Sequence, residues 1–227
     1  MEYSKCLEEL YALRDESFVE FQRRIIKSKA QKIIGVRTPA MRTLVKKYKG
    51  RYAEFSRFPD EYYEVTFIKL NLAATLPYEE FVVAVEDCVN SIENWAACDT
   101  FKPKCVALHK NEFIPYLNKF LSGGEFAQRF ALVTLLNFYV EKDFLTLIFD
   151  SLSVSDTLPY YTYMGAAWLL SEVLVKYYAE GAAYLKENKL DVRTHNKAIQ
   201  KARESYRLSA EQKKYLASLR RKSGKEK

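Results

Sequence analysis

Apolar side chains in this chain recur at spacings of three and four, seldom of two. In PYEEFVVAVEDCVNSI (77–92), Phe81, Val82, Val85 and Val89 fall on one stripe of a 3.6-residue helix. The same period predicts helices in TPAMRTLVKKYKG (38–50), NEFIPYLNKFL (111–121) and EFAQRFALVTLLNFYV (125–140). It continues in YYTYMGAAWLLSEVLVKYYAE (160–180), which is apolar on most sides, then in DVRTHNKAIQKARESYR (191–207) and SAEQKKYLASLRRK (209–222). Glycine and proline are scarce, seven and six in 227 residues, and they sit where helices start or stop. Thr38-Pro39 reads as an N-cap followed by a first-turn proline, and Gly50 as the stop. Pro77 and Pro159 open further helices, while SGGE (122–125) lacks the ending of a phosphate loop and reads as a turn. No segment alternates as a strand does. The chain is predicted to be all-α.

The predicted helices come in pairs, over 60–91, 94–121, 124–153, 157–187 and 191–220, whose starts recur every thirty-odd residues. That spacing predicts a curved solenoid of HEAT-like antiparallel helical pairs, each burying its apolar face against the next. A compact helical bundle is the competing architecture. Residues 1–221 are read as one HEAT-like repeat domain and 222–227 as a flexible basic tail.

Charge sharpens this picture. The net charge is +7, but residues 21–51 carry eleven basic side chains and no acid, and 186–227 carry fourteen against five. Between them, 52–185 has eighteen acids against nine bases. Two basic ends around an acidic middle suit a polyanion gripped at two places, with nucleic acid the first candidate. A protein with an ordinary basic tail is the alternative. The basic faces are Arg23, Arg24, Lys27, Lys29 and Arg37 at one end, and Lys197, Lys201, Arg203 and Arg207 at the other. No stretch approaches the roughly 20 apolar residues of a membrane span, and the acidic start is unlike a secretory leader. Cys6, Cys88, Cys98 and Cys105 form no metal-binding spacing and read as reduced thiols of a cytoplasmic protein. His109 and His195 are too far apart to suggest a metal site and read as surface histidines. No metal, cofactor or obligate protein partner is expected.

The two tryptophans carry the candidate chemistry. Trp95 and Asp99 are four apart in NWAACDTF (94–101) and share a helix face. Either the indole is core beside a solvated carboxylate, or the pair forms a surface for something cationic. In the repeat scheme, Arg129 and Trp168 occupy corresponding helices of the next two pairs, and the four side chains are expected to line one concave patch. The plainer readings are that Arg129 pairs with Glu125 one turn before it, and that Asp99 caps a following helix.

The chain resembles the DNA alkylation repair family, the AlkD-like DNA glycosylases with HEAT-like repeats. The residues that carry the likeness are GVRTPAMRTLVKKY (35–48), NWAACDTF (94–101), FAQRFALV (126–133), YMGAAWLL (163–170) and NKAIQKARESYRLS (196–209), in the family's order. The resemblance implies Asp99 as the catalytic carboxylate, Trp95 and Trp168 as the indoles lining the lesion site, and Arg129 as a contact to the DNA backbone near it. It implies a substrate of duplex DNA bearing cationic N3- or N7-alkylated purines, whose N-glycosidic bond is hydrolysed without a cofactor. Three residues after the second tryptophan, characterised members carry an arginine where this chain has Ser171. Two other functions fit the same architecture: a non-catalytic binder of damaged or branched DNA, and a helical-repeat scaffold for protein partners.

Overall fold

The computed structural model describes residues 2–28, 30–152 and 158–222. Lys29 and residues 223–227, assigned above to a basic face and to the tail, lie outside the described residues. Fourteen α-helices and two 3-10 turns form within the described residues, and strand-like pairing there is confined to two isolated bridges, Arg14–Val36 and Lys32–Tyr62. The all-α expectation holds. The chain divides into two compact units, Met1–Phe113 and Ile114–Lys227.

The first unit contains α1 (Tyr3–Ala12), α2 (Glu16–Ile26), α3 (Thr38–Lys47), α4 (Tyr52–Phe55), α5 (Tyr63–Ala73), α6 (Tyr78–Asn90) and α7 (Trp95–Thr100). After a 3-10 turn at Lys104–Leu108 comes α8 (Lys110–Leu121), within which the division falls. At its centre is α5, packed by α1, α3, α4, α6 and α7. Nearly every α5 side chain is buried, so the helix is apolar all round rather than along a stripe.

Three polar residues are buried with it, and each is satisfied. Thr66 and Lys69 bond Asp60, and Lys69 also donates to the Phe58 carbonyl. The Glu64 carboxylate accepts from the backbone amides of Ile34, Gly35 and Val36 at 3.1, 2.8 and 3.3 Å. Burial raises the Glu64 pKa above the usual carboxylate range, and these three amides oppose the rise. Gly35, at φ +99°, is where this loop passes α2: a Cβ there would lie 2.4 Å from Val19 Cγ2.

The second unit contains α9 (Glu125–Phe138), a 3-10 turn at Lys142–Phe144, α10 (Leu145–Leu152), α11 (Tyr160–Lys176), α12 (Tyr178–Lys186), α13 (Val192–Glu204) and α14 (Ala210–Ser218). Here α9, α11 and α13, the first helices of three successive pairs, pack side by side in sequence order.

Each of the five predicted pairs contains two helices, and three expectations need correction. The first member of the 94–121 pair is six residues long, because Pro103 and the 3-10 turn end it early. Thr38 is the first helical residue of α3 rather than its cap, and Arg37 precedes it in extended conformation. The surface reading of the histidines fails for His195, which is 1% exposed, and His109 stacks face to face on Tyr78 at 4.1 Å. No cluster of metal-binding side chains occurs among the described residues, and no helix there is long and apolar enough to cross a membrane.

Candidate functional site

A helix of six residues has little stability of its own, so α7 is held from outside. Asn94 caps it, its side-chain oxygen accepting from the Ala97 amide at 2.9 Å. Trp95 follows in the first turn, half-buried, and its indole N–H donates to the Ile25 carbonyl at 3.1 Å. The indole is therefore pinned to the C-terminal turn of α2, where Arg23, Arg24 and Lys27 are exposed. Asp99 lies one turn further along α7, half-exposed. It sits inside the helix and near its end, so it does not begin a following helix; the 3-10 turn starts after Pro103 without a side-chain cap. The first unit thus presents an indole and a carboxylate on one short, fixed helix, beside a basic helix end.

In the second unit Arg129 is 6% exposed and lies in α9. Its Nη1 donates to the Tyr161 carbonyl at 2.7 Å, and the Tyr161 amide donates to Glu125 at 2.6 Å. Both side chains hold the start of α11.

Trp168, further along α11 and half-buried, lines an open cleft of about 250 Å³. Ser171, Glu172, Lys201 and Arg207 line it too. The Ser171 hydroxyl turns inward to its own helix, donating to the Trp168 carbonyl at 2.7 Å. Arg207 Nη2 donates to both oxygens of Glu172 at 2.8 Å.

The basic residues are deployed less uniformly than their spacing suggested. Lys197 and Lys201, four apart on α13, share a face, and Lys197 donates to Gln200 at 3.2 Å. Arg203, two residues on from Lys201, is exposed on another flank of the helix. Arg207 is not on this helix at all, since α13 ends at Glu204. Arg37 Nε donates to Asp15 at 2.6 Å, and its guanidinium lies over the Phe18 ring at 4.8 Å, with over half of the side chain still exposed.

Sequence reasoning left three site residues without a role. Asn94 has a readable signal, an Asn directly before a helical run. Glu172 repeats the Trp-x-x-x-carboxylate spacing of Trp95 and Asp99, with Trp168 as its indole. Gln31, which bonds the Asn94 side chain at 3.2 Å from 63 residues away, has none.

No curated protein matches the chain. A family model described as DNA alkylation repair enzyme matches residues 6–205, a span that takes in α7, the Arg129 anchor and α13. The chain therefore belongs to the DNA alkylation repair enzyme family, and its role lies in DNA repair, with DNA as its substrate or partner.

Proposed function

We propose that this protein is a DNA glycosylase that hydrolyses the N-glycosidic bond of cationic N3- or N7-alkylated purines in duplex DNA. The observation that carries the reading is α7: a pinned indole and a half-exposed carboxylate one turn apart, beside exposed arginines, in a chain of a DNA alkylation repair family.

Alkylation makes the purine positive and a good leaving group. As the C1′–N bond breaks, its electron pair goes to the base, which departs neutral, and positive charge develops on the sugar. Asp99 stabilises that charge and orients the water that adds to C1′; the water's second proton passes to the carboxylate or to solvent. Opposite unit charges about 4 Å apart at an effective dielectric of about 20 attract by about 4 kcal/mol, equivalent to about a thousandfold in rate. That suffices for a bond already weakened by alkylation and is too little for an undamaged base. Selectivity then comes from the lesion's own lability. Trp95 adds cation–π attraction of about 0.5–2 kcal/mol.

Phosphate contacts are assigned to Arg23, Arg24 and the exposed side of Arg37 in the first unit, and to Lys197, Lys201, Arg203 and Arg207 in the second. Arg129, which also holds the start of α11, is assigned to the DNA backbone near the lesion.

The test is release of free alkylpurine from methylated duplex DNA. Wild type should release it, and Asp99→Asn should do so at least about a hundredfold more slowly with its DNA affinity kept. Equal release by the two proteins removes Asp99 from catalysis. DNA binding without any release by wild type makes the protein a non-catalytic binder.

A further inference from the structure

One hydrogen-bond relay runs beneath α7, and its polarity is determined. The Ala97 amide donates to Asn94 Oδ1 at 2.9 Å. Because that amide has only a proton to offer, the Asn94 oxygen must face it, and its Nδ2 donates to Gln31 Oε1 at 3.2 Å. Gln31 must then turn its Nε2 to Thr66 Oγ1, at 2.8 Å. The hydroxyl, having accepted, donates to Asp60 Oδ1 at 2.7 Å, which Lys69 Nζ holds at 2.8 Å. Asn94, Gln31, Thr66 and Lys69 are all buried. From Ala97 through Thr66 every proton points from α7 toward Asp60, and Gln31 joins α7 to α5 in this relay, beside their direct packing. Donor on one side and acceptor on the other, a primary amide keeps this polarity at every pH, where an ionised carboxylate does not.

We infer that Gln31 is a positioning residue, setting the start of α7 and through it the placement of Trp95 and Asp99 for base excision. The inference rests on the glycosylase reading for its activity readout, and on the relay itself for a second readout.

Gln31→Glu is the discriminating variant because it keeps the shape and makes the relay depend on protonation. When protonated, the introduced carboxyl donates to Thr66 and accepts from Asn94, so the relay is intact. When ionised, it can only accept, so the Thr66 hydroxyl must turn its proton from Asp60 to the new carboxylate, and the polarity of the relay is broken there. The charged groups on the elements around it are Asp60 and Lys69 across Thr66, Glu64 of α5, the Lys32–Glu61 pair, and Asp99 of α7.

Relative to wild type at each pH, Gln31→Glu should excise about tenfold more slowly at pH near 8 and recover toward parity near pH 6. Gln31→Met should be about tenfold slower throughout. Thr66→Val should behave like Gln31→Met, and Thr66→Ser like wild type. Affinity for undamaged duplex should change less than about twofold in all four, since no phosphate contact is touched.

A Gln31→Glu ratio that is flat with pH, or a Gln31→Met as fast as wild type, overturns the inference. If wild type excises nothing, the glycosylase reading has failed, and the relay is read by hydrogen exchange. The Ala97 amide of Gln31→Glu should then exchange about tenfold faster than wild type near pH 8 and at the wild-type rate near pH 6. Equal protection at both pH values overturns the inference independently of activity.

Discussion

Arg129 and Glu125 act on the same residue of the next helix, one on the carbonyl of Tyr161 and the other on its amide. Their spacing of four in one helix suggested that they pair with each other. The backbone of the next helix uses both, since a buried guanidinium needs acceptors and the first amides of a helix need a carboxylate. Local spacing does not reveal such a choice, because the partner lies 32 to 36 residues away.

His195 is a similar case on α13. Its Nε2 meets the Leu219 carbonyl at 2.9 Å, so the N–H sits there, and Nδ1 is buried without a partner. Burial, the largest cause, lowers the His195 pKa below the ordinary histidine value, aided by Arg221; the Leu219 bond opposes the shift. The folded protein thus favours neutral His195 while the unfolded chain takes up a proton. The stability it lends is complete above the unfolded value of about 6.5 and drains away as pH falls through that value toward the lowered folded one. Urea midpoints measured from about pH 7.5 to pH 5 should fall for wild type. They should fall less for His195→Gln, whose amide can still donate to Leu219 but takes no proton.

Among the elements, long helices were legible in full, whereas for α7 the helix was legible and its short length was not. The stripe of Phe81, Val85 and Val89 belongs to α6, and the turn at SGGE separates α8 from α9, because period and breakers decide these. By contrast α7 is too short to have a period, and its existence depends on a cap, an indole bond and a buried amide relay. The 33–37 loop is held by similar means, through Glu64 beneath it and through Gly35, which alone permits its approach to α2. Alanine at position 35 adds a left-handed backbone strain and a 2.4 Å overlap with Val19. Gly35→Ala should therefore destabilise the first unit by about 2 kcal/mol or more, read as a lowered denaturant midpoint. An unchanged midpoint means the loop is looser than this packing.

At the scale of the whole molecule, charge was the most legible property and the least specific. The basic ends and acidic middle are plain in the composition. Which cations face solvent is not: Arg207 is tied to Glu172, Arg37 to Asp15 and Lys47 to Glu9. Binding through several phosphates should make affinity for undamaged duplex fall at least about tenfold between about 50 and 200 mM salt. Replacing Lys197 and Lys201 together by alanine should reduce the log–log salt slope by about 2. A slope left untouched would exclude both from the interface.

One further feature bears on the surroundings in which such a protein works. Cys6, Cys88 and Cys98 are buried, and burial pushes the Cys6 and Cys88 thiols up to about 11. Thiolates, the soft nucleophiles of a polypeptide, consume the same electrophiles that methylate purines. Held as uncharged S–H and shut away from solvent, Cys6 and Cys88 are poor nucleophiles toward a passing methyl donor.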